Sequence, residues 1–184
     1  MNGSTLPILA PASRLSRKAL GLAILAMVLT TTILQWVDRP LRTPAAPNGI
    51  VSFELARDPE RAQAVLASWD PSARVWAGFG LGIDYLYMLL YANALAHLLL
   101  WTGRRLSPAQ AGIPRWSLLL AWGMWLAALF DATENLALLA QLLGRSAAFL
   151  PLLAWSCAVI KFGLLGLGGA AILAGLAGRL LRRL

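Results

Sequence analysis

Residues 116–177 read WSLLLAWGMWLAALFDATENLALLAQLLGRSAAFLPLLAWSCAVIKFGLLGLGGAAILAGLA. Two apolar runs, 116–143 and 147–177, are divided by Gly144-Arg145-Ser146. Each exceeds the roughly 20 residues that an α-helix needs to cross a bilayer. A connection this short predicts a tight antiparallel hairpin. Working outward, 75–101 and 19–37 are two further apolar runs of spanning length. The last three runs exceed the minimum, so tilt or extension beyond the bilayer is expected. The expected fold is all-α: a four-helix transmembrane bundle in a single membrane domain, without internal repeats.

Composition agrees with that reading. Of 184 residues, 59% are hydrophobic and 13% charged, against roughly 45–50% and about 25% in soluble domains. One cysteine and one histidine exclude an intrachain disulfide framework, a multi-cysteine metal site and bis-histidine haem ligation within one chain. There is no Walker motif, Ser-His-Asp set, HExxH or Rossmann glycine pattern. Neither a cofactor nor a metal is expected.

The charges orient the helices. Arg14, Arg17 and Lys18 precede the first run, Arg104, Arg105 and Arg115 separate the second from the third, and Arg179, Arg182 and Arg183 follow the fourth. No acid accompanies these nine. The stretch 38–74 instead balances five basic residues with five acidic ones. The positive-inside rule then places a tail over 1–18, a loop over 102–115 and a basic tail over 178–184 in the cytoplasm, with 38–74 as an outer loop. The expected location is the bacterial inner membrane, with both termini inside and the lipid bilayer as the first partner. The net charge of +8 is thus a topology signal, and nucleic-acid binding is not expected. A cleaved signal peptide is the rival reading of the first run. That run is longer than the usual ~7–15 residues, and Pro44-Ala45-Ala46 is a poor cleavage site. In the outer loop, Asp58-Pro59-Glu60 has the form of a helix start. Ala62, Val65, Leu66 and Trp69 follow at helical spacing, predicting an amphipathic helix over about 59–69. Asp70-Pro71 repeats the signal ahead of the second membrane helix.

Four ionisable residues fall inside the apolar runs: Asp84, Asp131, Glu134 and Lys161. A charge at mid-bilayer costs between about 2.5 and 17 kcal/mol, so these groups need one another, water or a ligand. If the hairpin folds about Arg145, Lys161 lies level with about position 129, so Asp131 is ~3 Å away in depth at 1.5 Å rise per residue. Asp131 and Lys161 are the expected ion pair. Asp131, Glu134 and Asn135 share one face at i, i+3, i+4 spacing. Gly80, Asp84, Tyr87 and Tyr91 form a stripe on the second helix, with Trp155 among the aromatic residues at similar depth. Asp84, Tyr87, Tyr91, Asp131, Glu134, Asn135, Trp155 and Lys161 are the candidate ligand-binding cluster. Asp84 and Glu134 lack an evident basic partner and are the candidate catalytic acids. Two neighbouring carboxylates in low dielectric do not both ionise easily, so a proton, a cation or a ligand amine is expected beside them.

Plainer readings stand beside these. A single Asp–Lys pair between membrane helices often serves as packing glue, contributing about 0.6–2 kcal/mol. His97 reads as interfacial or helix-packing, and Cys157 as a small packing residue. Trp36, Trp76, Trp101 and Trp116 read as interface anchors. The glycines at 78, 80 and 82 and between 163 and 169 mark close helix contact rather than a phosphate loop.

The strings Gly49-Ile50-Val51-Ser52-Phe53-Glu54-Leu55-Ala56, Leu81-Gly82-Ile83-Asp84-Tyr85 and Phe130-Asp131-Ala132-Thr133-Glu134-Asn135, with Lys161-Phe162, resemble an uncharacterised family of small bacterial four-helix membrane proteins. That resemblance implies no activity. The layout also resembles the EXPERA proteins, which include sterol isomerases and a sterol-binding receptor. It implies a lipid-accessible cavity, with Asp84 in the place of their helix-two acid. Lys161 departs from that pattern. Three functions are expected from the cluster. The first is binding of, or action on, a small amphipathic lipid or isoprenoid-like ligand. The second is a structural or regulatory role in a larger membrane complex. The third is proton- or cation-coupled transport by a homo-oligomer.

Overall fold

The computed structural model of the chain describes residues 17–107 and 112–181. The expected tail over 1–18 lies outside them but for Arg17 and Lys18, as do Arg182 and Arg183 of the basic end. Six α-helices follow in order: α1 Arg17–Val37, α2 Ile50–Glu54, α3 Pro59–Ser68, α4 Pro71–Leu106, α5 Arg115–Leu142 and α6 Phe149–Leu181. No strand occurs among the described residues. Four of the helices are long and apolar enough to cross a membrane.

Local chemistry fixes the helix ends. The Asp70 carboxylate accepts from the Ala73 amide at 2.7 Å, and Pro71 follows where no amide donor is needed. Asp58 does the same for α3 through the Arg61 amide at 2.8 Å. Helix α5 ends in a Schellman turn: the Gly144 amide donates to the Gln141 carbonyl and the Arg145 amide to that of Ala140, both at 2.9 Å. Gly144 makes this turn at φ +85°, which glycine adopts without steric cost.

The turn returns α6 along α5, and α5 packs between α4 and α6 while α1 lies against α4. Small residues permit the approaches. A side chain on Gly103 would run into Ser117, and one on Gly168 into Met124. Leu22, Leu29, Leu89, Leu119, Leu129, Leu136, Leu167 and Leu173 all point outward, more than half exposed. A bundle with leucines on every outer face suits apolar surroundings.

The segment between α1 and α4 folds onto one end of this bundle. The Trp69 indole donates to the Leu41 carbonyl at 2.8 Å and packs edge-on against Phe53. Ala62, Val65 and Leu66 of α3 join Leu138 of α5 and Leu150 of α6 in one apolar cluster. Two further clusters, around Met88 and Ala127 and around Leu99 and Met124, fill the middle and the far end. The buried charges occupy the level between the first cluster and the middle one.

Candidate functional site

Lys161 projects from α6 into the bundle and is only 5% exposed. Its ammonium lies 2.9 Å from Asp131 Oδ1 and 2.9 Å from Glu134 Oε2, both on α5. A third carboxylate arrives from outside the long helices: Glu54, the last residue of α2, places Oε2 at 3.6 Å. The Tyr91 hydroxyl of α4 donates to Asp131 Oδ2 at 3.0 Å. Next to it, the Asn135 amide donates to Asp84 Oδ2 at 2.8 Å and so joins α5 to α4. Glu134 and Asn135 are almost wholly buried. Desolvating an ion costs several kcal/mol, which only close pairing and hydrogen bonding offset. Of the three N–H donors of Lys161, two go to Asp131 and Glu134, Glu54 stands at ion-pair distance, and Asp84 brings the number of nearby acids to four.

Glu134, expected without a basic partner, shares Lys161 with Asp131. Two acids one turn apart on one helix face can meet a single ammonium, so the expected pair is a branched network. Asp84, Tyr91, Asp131, Glu134, Asn135 and Lys161 come together. Tyr87 stands edge-on to Tyr91 with ring centres 5.4 Å apart. Trp155 takes another direction: six residues before Lys161, it lies about 120° round the helix, and its ring sits 5.0 Å beneath the Arg57 guanidinium. His97 bonds the Asn93 carbonyl of its own helix at 2.7 Å, and Cys157 is buried.

Glu54 is the member that sequence reasoning missed. Its only signal is a lone acid in the otherwise apolar and small-residue run Gly49–Ala56. Its delivery depends on Asp38, whose Oδ1 accepts from the Ile50 amide at 2.7 Å while Oδ2 pairs with Arg42 at 3.2 Å. Gly49 makes the preceding bend at φ +57°, and a side chain there would occupy the space of the Asp38 carboxylate. Burial pushes the Glu54 carboxyl above the usual carboxylate range; the Lys161 ammonium opposes this and Asp131 adds to it.

Beside the network lies a cavity of about 80 Å³. That exceeds the roughly 10–15 Å³ needed for one water. Leu34, Val37 and Leu41 wall it on one side, and Ala77, Gly80 and Leu81 of α4 on the other. Asp38, Glu54, Asp84 and Asn135 supply its polar lining. Gly80 lets α1 approach, since a side chain there would meet Val37 at 3.3 Å. A more open groove of about 510 Å³ shares Leu34, Asp38 and Ile50 with the cavity, extends to Thr31 and Tyr87, and is polar along Gln35, Arg42 and Asn48. Apolar walls ending in a few polar groups form the usual chemistry of a small-molecule site.

No family model, curated protein or solved structure matches the chain.

Proposed function

We propose that the protein resides in the bacterial inner membrane and binds a small amphipathic ligand, of lipid or isoprenoid type, in the cavity between α1, α2 and α4. The observation that carries the reading is the form of the cavity: aliphatic walls lead to Glu54, Asp84 and Asn135, and a wider groove adjoins it. The head group then meets the polar end, and the chain lies in the groove along α1 toward Tyr87. Any acid chemistry falls to Asp84 rather than Glu134, because Glu134 is bonded to Lys161 away from the cavity lining. Both termini lie in the cytoplasm and the loop 38–74 outside, on the strength of the basic flanks.

Native mass spectrometry of the gently purified protein beside Asp84→Asn tests this. A small molecule carried by the wild type and lost from the variant is the expected result, and its mass gives the chemical class. Equal occupancy in both, or none in either, overturns it.

One observation favours a second reading. Asp131, Glu134 and Lys161 form a buried network joining α5 to α6, which a structural subunit of a larger membrane complex would need with no ligand at all. That reading predicts an empty chain in both spectra and a loss of stability, rather than of a bound molecule, when Lys161 is replaced.

A further inference from the structure

The charge around the cavity narrows the class of ligand, granted that the cavity binds one. Three carboxylates line it and no lysine or arginine does. They are not equally satisfied. Asp38 is held by Arg42 and the Ile50 amide. Asp84 takes one donor, the Asn135 amide on Oδ2, and among the described residues its Oδ1 takes none. Glu54 is buried, and its Oε2 has no hydrogen-bond donor, since Lys161 stands 3.6 Å away. Lys161 donates to Asp131 at 2.9 Å and to Glu134 at 3.0 Å, so its third N–H is the nearest donor to Glu54, at ion-pair distance and beyond a hydrogen bond. A buried acceptor left unmade costs about 1–3 kcal/mol, more when it is charged. When ionised, Asp84 and Glu54 give the cavity negative charge with an open acceptor on Asp84, and the donor in the lining, the Asn135 amide, is already spent on Asp84 Oδ2. An anionic head is repelled there, and a neutral one leaves the charge unbalanced. Among the described residues no three acidic, histidine or cysteine side chains are grouped as a metal site.

We propose that the cavity takes the protonated amino head of an aliphatic amine, R–NH3+, its N–H groups donating to Asp84 and Glu54 and its chain lying between Val37 and Leu81. The space of about 80 Å³ suits an ammonium and its first methylenes, and the rest of the chain runs over Leu34, Ile50 and Val51, the aliphatic part of the adjoining groove. Donation matters as much as charge. A quaternary ammonium has the charge without N–H groups and is wider, so it is the discriminating control.

The test is a ligand series of one chain length on the purified full-length protein: octylamine, octyltrimethylammonium, octanol and octanoate. Binding is read as the concentration dependence of thermal unfolding. Octylamine is expected to bind saturably and at least tenfold more tightly than the other three, and to weaken at least tenfold in Asp84→Asn. Octanol or octanoate binding as tightly as octylamine overturns the amine class and leaves the ligand-binding reading standing. Octyltrimethylammonium binding as tightly overturns the role given to the N–H donors. Saturable binding of none of the four overturns both the amine class and the cavity as an amphiphile site. The series on the wild type suffices if Asp84→Asn fails to fold. Octylamine affinity that is unchanged in both Asp84→Asn and Glu54→Gln removes the amine from this cavity.

Discussion

Lys161 is the residue on which the buried charge depends. It is one cation among Glu54, Asp131 and Glu134, with Asp84 close behind on the Asn135 amide. Removing one partner of a buried ion pair typically costs 3–5 kcal/mol, because the remaining charge stays desolvated. Lys161→Met is therefore expected to lower stability by about that much, read by denaturant unfolding in a mild detergent. Adding Asp131→Asn and Glu134→Gln is expected to recover most of the loss, since those groups then carry no charge to strand. An equal or greater loss in the triple variant would show that the network does not act through its charge. Burial raises the Glu54 carboxyl above the ordinary range, so the folded state holds the proton to higher pH than the unfolded chain. Its ionisation then costs stability, and that cost is absent below the unfolded value and grows as pH rises through the folded one. Lys161, Asp131, Glu134 and Asp84 face the same group and remain in the variant. The stability of Glu54→Gln relative to the wild type is expected to increase from the ordinary carboxylate range upward. A difference flat with pH in thermal unfolding scans would contradict it.

At the scale of elements, the short helix α2 matters more than its five residues suggest. It carries Glu54 to Lys161, and Asp38 holds its first amide. Gly49 is expected to be irreplaceable. Gly49→Ala imposes a side chain at φ +57° and meets the Asp38 carboxylate, so it should cost more than the 0.4–1 kcal/mol gained where the conformation is compatible. Hydrogen exchange should accelerate first at Ile50–Glu54, with the long helices unaffected; uniform acceleration would argue against a local role. The long helices were legible in the sequence because uninterrupted apolar length is a signal in one dimension. The i, i+3, i+4 spacing of Asp131, Glu134 and Asn135 likewise carried their shared face. What was not legible is whatever depends on contacts across the chain. Glu54 reaches Lys161 over more than a hundred residues, and its own neighbours give no hint of where α2 will rest. Trp155 shares the depth of the cluster, but depth without rotation does not make a contact, and its ring faces Arg57. The branching of Lys161 between Asp131 and Glu134 also required the rotation of α6 against α5.

For the whole molecule, the proposed orientation makes a demand that the packing sharpens. The segment between α1 and α4 and the turn between α5 and α6 gather at one end of the bundle: Arg57 lies over Trp155, and Val65 shares an apolar cluster with Leu150. The link from α4 to α5, which begins at Ser107, lies a long helix away at the other end. The four long helices put the start of α1 and the end of α6 at the end of the bundle that holds that link. The basic flanks then determine which end faces the cytoplasm. The native thiol, Cys157, is buried, so an introduced cysteine reports its own position without competition. Gln63 is exposed on α3, and Ser146 is exposed in the α5–α6 turn. Gln63→Cys and Ser146→Cys are both expected to react with a membrane-impermeant maleimide applied to intact spheroplasts, and Ser107→Cys only after the membrane is opened. The reverse pattern would invert the topology and put the cavity mouth on the cytoplasmic side. A split between Gln63→Cys and Ser146→Cys would be more damaging. The packing places both sites at one end, so opposite accessibility would deny the spanning count itself, and with it the depth at which Lys161 and its carboxylates are held.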